Sequence, residues 1–198
     1  CSLRCSFCQN HQISLGGDGD ILSIEDLLET VVRLILDHGV HNINLVTPDH
    51  FFPYSFRLVE LLRERKYHIP ILYNTSGYQS LTMLKMAEDY ADIYLPDYKY
   101  SDPEISMALS RCSDYPARAL DAIGEMVRQK GLLDSFEEGK DTASRGVLVR
   151  HLILPGRVKN SMDALTALFL EFGPGIPISL MSQYHPVARH RDPDMNRR

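Results

Sequence analysis

Short runs of aliphatic and β-branched residues alternate with amphipathic helical stretches along almost all of this 198-residue chain. No other feature constrains the fold so tightly. Short apolar strands separated by helices cannot pair as hairpins; they pair in parallel, with the helices packed outside. The spacing of Ile24, Leu27, Leu28, Val31, Val32 and Ile35 predicts a helix capped by Ser23, with Asp26 three residues on, and ended by Gly39. Further helices are expected over 54–66, from Ser80 to 90, from Pro103, from Tyr115 to Gly131, and from Ser161 to 172. Strands are expected over 43–46, 69–73, 91–95, 146–154 and 177–181. The first residue is a cysteine, not Met, which suggests a strand ahead of it and hence six in all. The expected fold is α/β, one domain over 1–198, an open partial (β/α)6 barrel short of the eight strands that close a full one. A flavodoxin-like or Rossmann sheet is the alternative, though no Gly-x-Gly-x-x-Gly turn follows any strand. Residues 133–145 show no periodicity and are expected to form a mobile loop. Residues 189–198 are expected to be a polar tail.

Three of the four cysteines stand in the first eight residues, as Cys1-x3-Cys5-x2-Cys8; Cys112 is distant. Such a loop can turn three thiolates toward one point. Two readings follow from the spacing. Cys1, Cys5 and Cys8 with His11 would make a Cys3His zinc site, a structural or interaction module. Alternatively, the three cysteines hold a [4Fe–4S] cluster and leave one iron open to an outside ligand. The clustering does not suit a disulfide framework and fits a reducing, cytoplasmic compartment. The net charge of −5, with no long basic run, argues against a nucleic-acid surface. No apolar stretch approaches the roughly 20 residues of a membrane span.

In parallel α/β folds the chemistry gathers at the carboxyl ends of the strands. The segments there are polar: Thr47-Pro48-Asp49-His50, Asn74-Thr75-Ser76-Gly77, Asp97-Tyr98-Lys99, Arg150-His151 and Gln183-Tyr184-His185. Together with the cysteine loop they would ring one mouth. The lone Cys112 reads as a packing residue. His50, His151 and His190 read as local hydrogen-bonding groups.

The cysteine spacing, with Phe7 just before the third cysteine, resembles the signature of the radical SAM enzymes. That resemblance implies a [4Fe–4S] cluster on Cys1, Cys5 and Cys8, with S-adenosylmethionine on the open iron. The cofactor would be cleaved reductively to a 5′-deoxyadenosyl radical that abstracts hydrogen. Its carboxylate calls for Lys99 or Arg150, its ribose for Asp97, Asn74 or Thr75, and its adenine for Phe7 or Tyr184. The cysteine loop, Asp97-x-Lys99, Arg150 ahead of Leu154-Pro155-Gly156, and Tyr184-His185 are similar to the pyruvate formate-lyase activating enzymes and a related uncharacterised branch. In that family the matching Lys and Arg lie near the methionine part of the cofactor and the matching His, here His185, near the ribose. The implied substrate is a glycine backbone of a glycyl-radical enzyme, with a flavodoxin- or ferredoxin-like electron donor. A radical reaction on another peptide or a small molecule is the alternative. Activating enzymes carry Gly-Gly-Glu where this chain has Thr47-Pro48-Asp49, so the Thr47 hydroxyl, a backbone carbonyl or Asp49 would have to meet the amino group.

Overall fold

The structure, a computed structural model, describes residues 1–136, 142–187 and 192–197. After the cysteine loop come a single helical turn, α1 (His11–Ser14), and then α2 (Ile24–His38), β1 (Ile43–Val46) and α3 (Phe52–Glu64). They are followed by β2 (Ile71–Thr75), α4 (Leu81–Ala87), β3 (Ile93–Pro96), α5 (Pro103–Ser110) and α6 (Tyr115–Lys130). The chain continues through β4 (Gly146–Val147), β5 (Val149–Leu152), α7 (Val158–Phe172) and β6 (Ile178–Met181). Every strand pair is parallel: β1–β2–β3–β4 form one sheet and β5–β6 a second.

The two sheets are one curved wall. Residues 146–152 run on as a single extended segment whose first half pairs with β3 and whose second half pairs with β6. Across the change of partner, Leu148 N donates to Tyr94 O, Tyr98 N donates to Arg150 O, and Asp97 bridges to Arg150. The five extended segments foreseen from the sequence are therefore all present, as an open α/β wall.

Local chemistry explains the helices. Ser23 accepts from the Asp26 amide at 3.0 Å, and α2 buries Leu28, Val31 and Val32. Asp102 caps α5 through the Glu104 and Ile105 amides. Helix α4 ends sooner than its sequence period suggests, at Ala87. Helix α7 starts three residues before Ser161, so Ser161 lies inside the helix and does not cap it. The core behind the wall is rich in tyrosine: Tyr73, Tyr94, Tyr98, Tyr100 and Tyr115 are all at 1% exposure or less. Three of these hydroxyls, those of Tyr94, Tyr100 and Tyr115, make hydrogen bonds; that of Tyr73 has no partner among the described residues.

The expected loop 133–145 is held at both ends. Asp134 accepts from the Ser144 and Arg145 amides at 2.8 and 3.1 Å, while 137–141 lie outside the described residues. Of the expected tail, 192–197 pack back on the domain. Met195 is fully buried, and Asp192 pairs with Arg157. His190 lies outside the described residues. Among the described residues no helix is long and apolar enough to cross a membrane.

Candidate functional site at the carboxyl ends of the strands

The cysteine loop is laid along the end of α5. Ser6 N donates to Leu109 O at 2.8 Å, and the Cys5 thiol meets the Ser110 hydroxyl at 2.9 Å. His11 turns its ring back to the Cys8 carbonyl, 3.1 Å away, and so serves the turn. Gln9 reaches the Gln183 carbonyl at 3.3 Å, tying the loop to the segment after β6. The loop therefore lies over the carboxyl ends of the strands, as the sequence suggested.

Beneath Cys5 is a charge group. Asp97 Oδ1 accepts from Arg150 Nε and Nη2 at 2.9 and 2.7 Å, and its Oδ2 from Lys99 Nζ. The three side chains retain only 15–26% exposure. Burial pulls the Lys99 ammonium down, but Asp97 and then Cys5 outweigh it and hold its pKa above the ordinary value. Burial pushes the Cys5 thiol up, with Lys99 opposing. Lys99 is the one nearby cation that favours the thiolate, the form in which Cys5 would bond to metal.

Strand register sorts the other candidates. Asn74 pairs with Leu95, and Asp97, two residues on, bridges Arg150, which pairs with Ser179. Asn74, Asp97, Arg150 and Ser179 therefore share one face of the wall. Thr75 takes the opposite face with Tyr73 and Tyr94, against Phe52. This corrects the grouping of Thr75 with Asn74 as ribose contacts: β2 runs on to Thr75, and the alternation of the strand turns its side chain away. Asp97 also departs from expectation, because both of its oxygens are already engaged by cations.

Phe7 and Tyr184 were expected to offer an adenine face. They are 7% and 9% exposed and pack on each other with centroids 6.4 Å apart; the Tyr184 hydroxyl donates to Met195 O at 2.5 Å. Little ring surface remains for a nucleobase. His185 is exposed at the rim. Thr47 has a left-handed backbone, φ +54, and its N–H donates to Asn74 O at 2.7 Å. Asp49 turns to Gln79, 2.8 Å away, and burial raises its carboxyl above the usual range. Among the described residues, Asp49 Oδ1 and Gln79 Oε1, near these strand ends, and Thr75 Oγ1, on the other face, are buried without a protein partner. Buried polar atoms of this kind call for a partner such as water or ligand.

Tyr115 was read from the sequence only as a helix start, yet it organises the mouth. Its hydroxyl lies 2.9 Å from Ser76 O and 2.6 Å from Asp97 O, and it accepts from Lys99 N at 3.0 Å. His151 fixes the other side. A carbonyl can only accept, so Nδ1–H donates to Tyr98 O at 2.6 Å and Nε2 accepts from Ser161 Oγ at 2.9 Å. Burial holds the His151 pKa below its ordinary 6.5. The unfolded chain therefore takes the proton first, and stability is expected to be level above about pH 6.5 and to fall below it. Urea unfolding at about pH 7.5 and about pH 5.5 checks this, and His151→Gln should flatten that part of the slope.

The donor set suits an iron–sulfur cluster: three free thiols on one loop, against a charged pocket. Among the described residues no three His, Cys, Asp or Glu side chains converge as a single metal ion requires. One zinc needs each sulfur at about 2.3 Å.

Residues 1–167 match the family model of the radical SAM superfamily. The chain belongs to the radical SAM superfamily. An uncharacterized protein of Methanocaldococcus jannaschii is 24% identical over 209 residues, covering 100% of this chain and 55% of that protein. The chain thus spans about half the length of this curated relative. Among solved structures, Streptococcus suis SuiB bound to S-adenosylmethionine superimposes with a TM-score of 0.63 at 14% identity, over 97% of this chain and 41% of that one. SuiB bound to its precursor peptide SuiA gives 0.63 at 14% identity, over 97% and 40%. These likenesses establish a shared radical SAM fold.

Proposed function

We propose that the protein carrying this chain is a radical SAM enzyme in which Cys1, Cys5 and Cys8 hold a [4Fe–4S] cluster and S-adenosylmethionine binds at the carboxyl ends of the strands. The observation that carries this reading is that Cys5, on a loop bonded to the end of α5 and to the segment after β6, lies within electrostatic reach of Lys99 and Asp97 in the Asp97–Lys99–Arg150 group. The cluster, when bound, supplies the electron for reductive cleavage of S-adenosylmethionine, whose deoxyadenosyl fragment then abstracts hydrogen. The chain's own residues bind, orient and shield. Asp97 takes two guanidinium N–H groups of Arg150, holding it with further donors for a carboxylate. Lys99 adds a positive charge on the same side. Asn74, on the same face, is a ribose partner, and His185 stands at the rim for the same sugar. Thr47 and Asp49 are left for the amino group.

The first reading of the substrate is a glycyl-radical enzyme, with a flavodoxin- or ferredoxin-like donor in the cytoplasm. One observation favours another peptide or a small molecule. Where activating enzymes have Gly-Gly-Glu, this chain has a left-handed Thr47 and an Asp49 engaged by Gln79. SuiB, whose fold is shared, was crystallised with a precursor peptide.

The test uses the intact protein, reconstituted anaerobically with iron and sulfide, reduced, and given S-adenosylmethionine. Formation of 5′-deoxyadenosine is expected, falling to background in Cys5→Ala. A colourless protein holding one zinc per chain would overturn the proposal.

A further inference from the structure

One pair of buried hydroxyls stands behind Cys5, at the back of the site just described. Ser110, at the end of α5, is 2% exposed, and its Oγ donates to Cys5 Sγ at 2.9 Å. Behind it, the hydroxyl of Tyr100, at 0% exposure, lies 2.6 Å from Ser110 Oγ. With the Ser110 proton directed to sulfur, the Tyr100 O–H is left to donate to Ser110 Oγ. The two bonds then run in one direction, from Tyr100 through Ser110 to Cys5, and each polarises the next. The arrangement is rigid. The Ser6 amide is bonded to Leu109 O at 2.8 Å, fixing the cysteine loop against the turn that carries Ser110, and Tyr100 packs edge-on against Tyr115 and Phe7. The Cys8 sulfur, by contrast, has Ser14 Oγ at 3.5 Å as its hydrogen-bond partner among the described residues, on a partly buried single turn.

We infer that Ser110, supported by Tyr100, is a positioning residue that sets the reduction potential of the cluster through a hydrogen bond to Cys5 sulfur. This rests on the cluster reading above. Reduction adds negative charge that is shared by the thiolate sulfurs. A donor aimed at one sulfur stabilises the reduced form more than the oxidised form and makes the cluster easier to reduce. Only part of the strength of a hydrogen bond to a charged group differs between the two redox states. Loss of the bond should therefore change the oxidised-to-reduced ratio at a fixed potential by roughly three- to tenfold. For a one-electron couple at 59 mV per decade, that is a shift of about 30–60 mV to more negative potential.

The test is a potentiometric titration, read by electron paramagnetic resonance, of the intact protein after anaerobic reconstitution. Wild type, Ser110→Ala, Ser110→Thr and Tyr100→Phe are compared, with iron and sulfide content measured first. A wild type that takes up no cluster refutes the cluster reading itself, and is told apart by that first measurement. With clusters present, Ser110→Ala is expected to titrate at more negative potential. Tyr100→Phe, which keeps the Ser110 bond but loses its support, should shift less and in the same direction. Ser110→Thr, which keeps a hydroxyl, should return toward wild type. Unchanged potentials in both Ser110→Ala and Tyr100→Phe overturn the inference. So does loss of cluster uptake in Ser110→Ala alone, which would make Ser110 a determinant of assembly.

Discussion

Asp97→Ala is expected to destabilise the fold by about 2–4 kcal/mol, read as a lower urea midpoint at unchanged slope. The carboxylate stands between two cations and gives one oxygen to Lys99 and the other to Arg150. Its removal leaves both charges facing each other in a pocket where their side chains are 17% and 26% exposed. Breaking a fully buried pair costs about 3–5 kcal/mol, and the residual exposure discounts that figure. The repulsion can be relieved. Asp97→Ala combined with Lys99→Met should be less destabilised than Asp97→Ala alone, because the double variant no longer confines two like charges. A loss below about 1 kcal/mol in the single variant would show that the cations simply swing out to water.

Gly77→Ala has a comparable expected effect from a steric cause. Gly77 has φ +77, and a Cβ there would stand 2.1 Å from the Asp97 carbonyl oxygen and 3.2 Å from Tyr115 Oη. The left-handed backbone alone costs a residue with a side chain about 1 kcal/mol. The carbonyl cannot yield without moving the strand end that carries the charge group, so the total should reach about 3–4 kcal/mol. Gly17→Ala is the control. Its φ is +75, but an added Cβ meets nothing within 4 Å, so only the backbone cost of about 1 kcal/mol is expected. Thermal unfolding of the two variants side by side separates strain from collision.

The wall of strands was legible because each strand is a short apolar run closed by turn residues, and because the helices between show a clear 3.6-residue period. The exceptions are instructive. Ser161 has the look of a helix cap, yet its hydroxyl belongs to His151, a partner that only the tertiary fold supplies. The true start of α7 is at Val158, and the residue before it, Arg157, makes no side-chain cap bond to announce it. Thr75 was misplaced because the strand was expected to stop at 73. Two further residues of alternation reverse the face that Thr75 presents. Lys99 stands out by its charge and its position after a strand, and Arg150 by its charge near the end of one. Phe7 and Tyr184 were not readable as packing residues, since the partner of Tyr184 is the Met195 carbonyl in a segment without pattern. Tyr115, Ser110 and Tyr100 carry no spacing signal. Their importance lies in what their hydroxyls reach, which a linear sequence does not record.

The change of partner along residues 146–152 gives Arg150 two occupations. Its carbonyl is a rung of the wall, taking the Tyr98 amide, and its guanidinium is half of the charge group. Aperture and charge are therefore geared to one residue. A shift of the Arg150 backbone would move the charge group and the junction between β3 and β6 together.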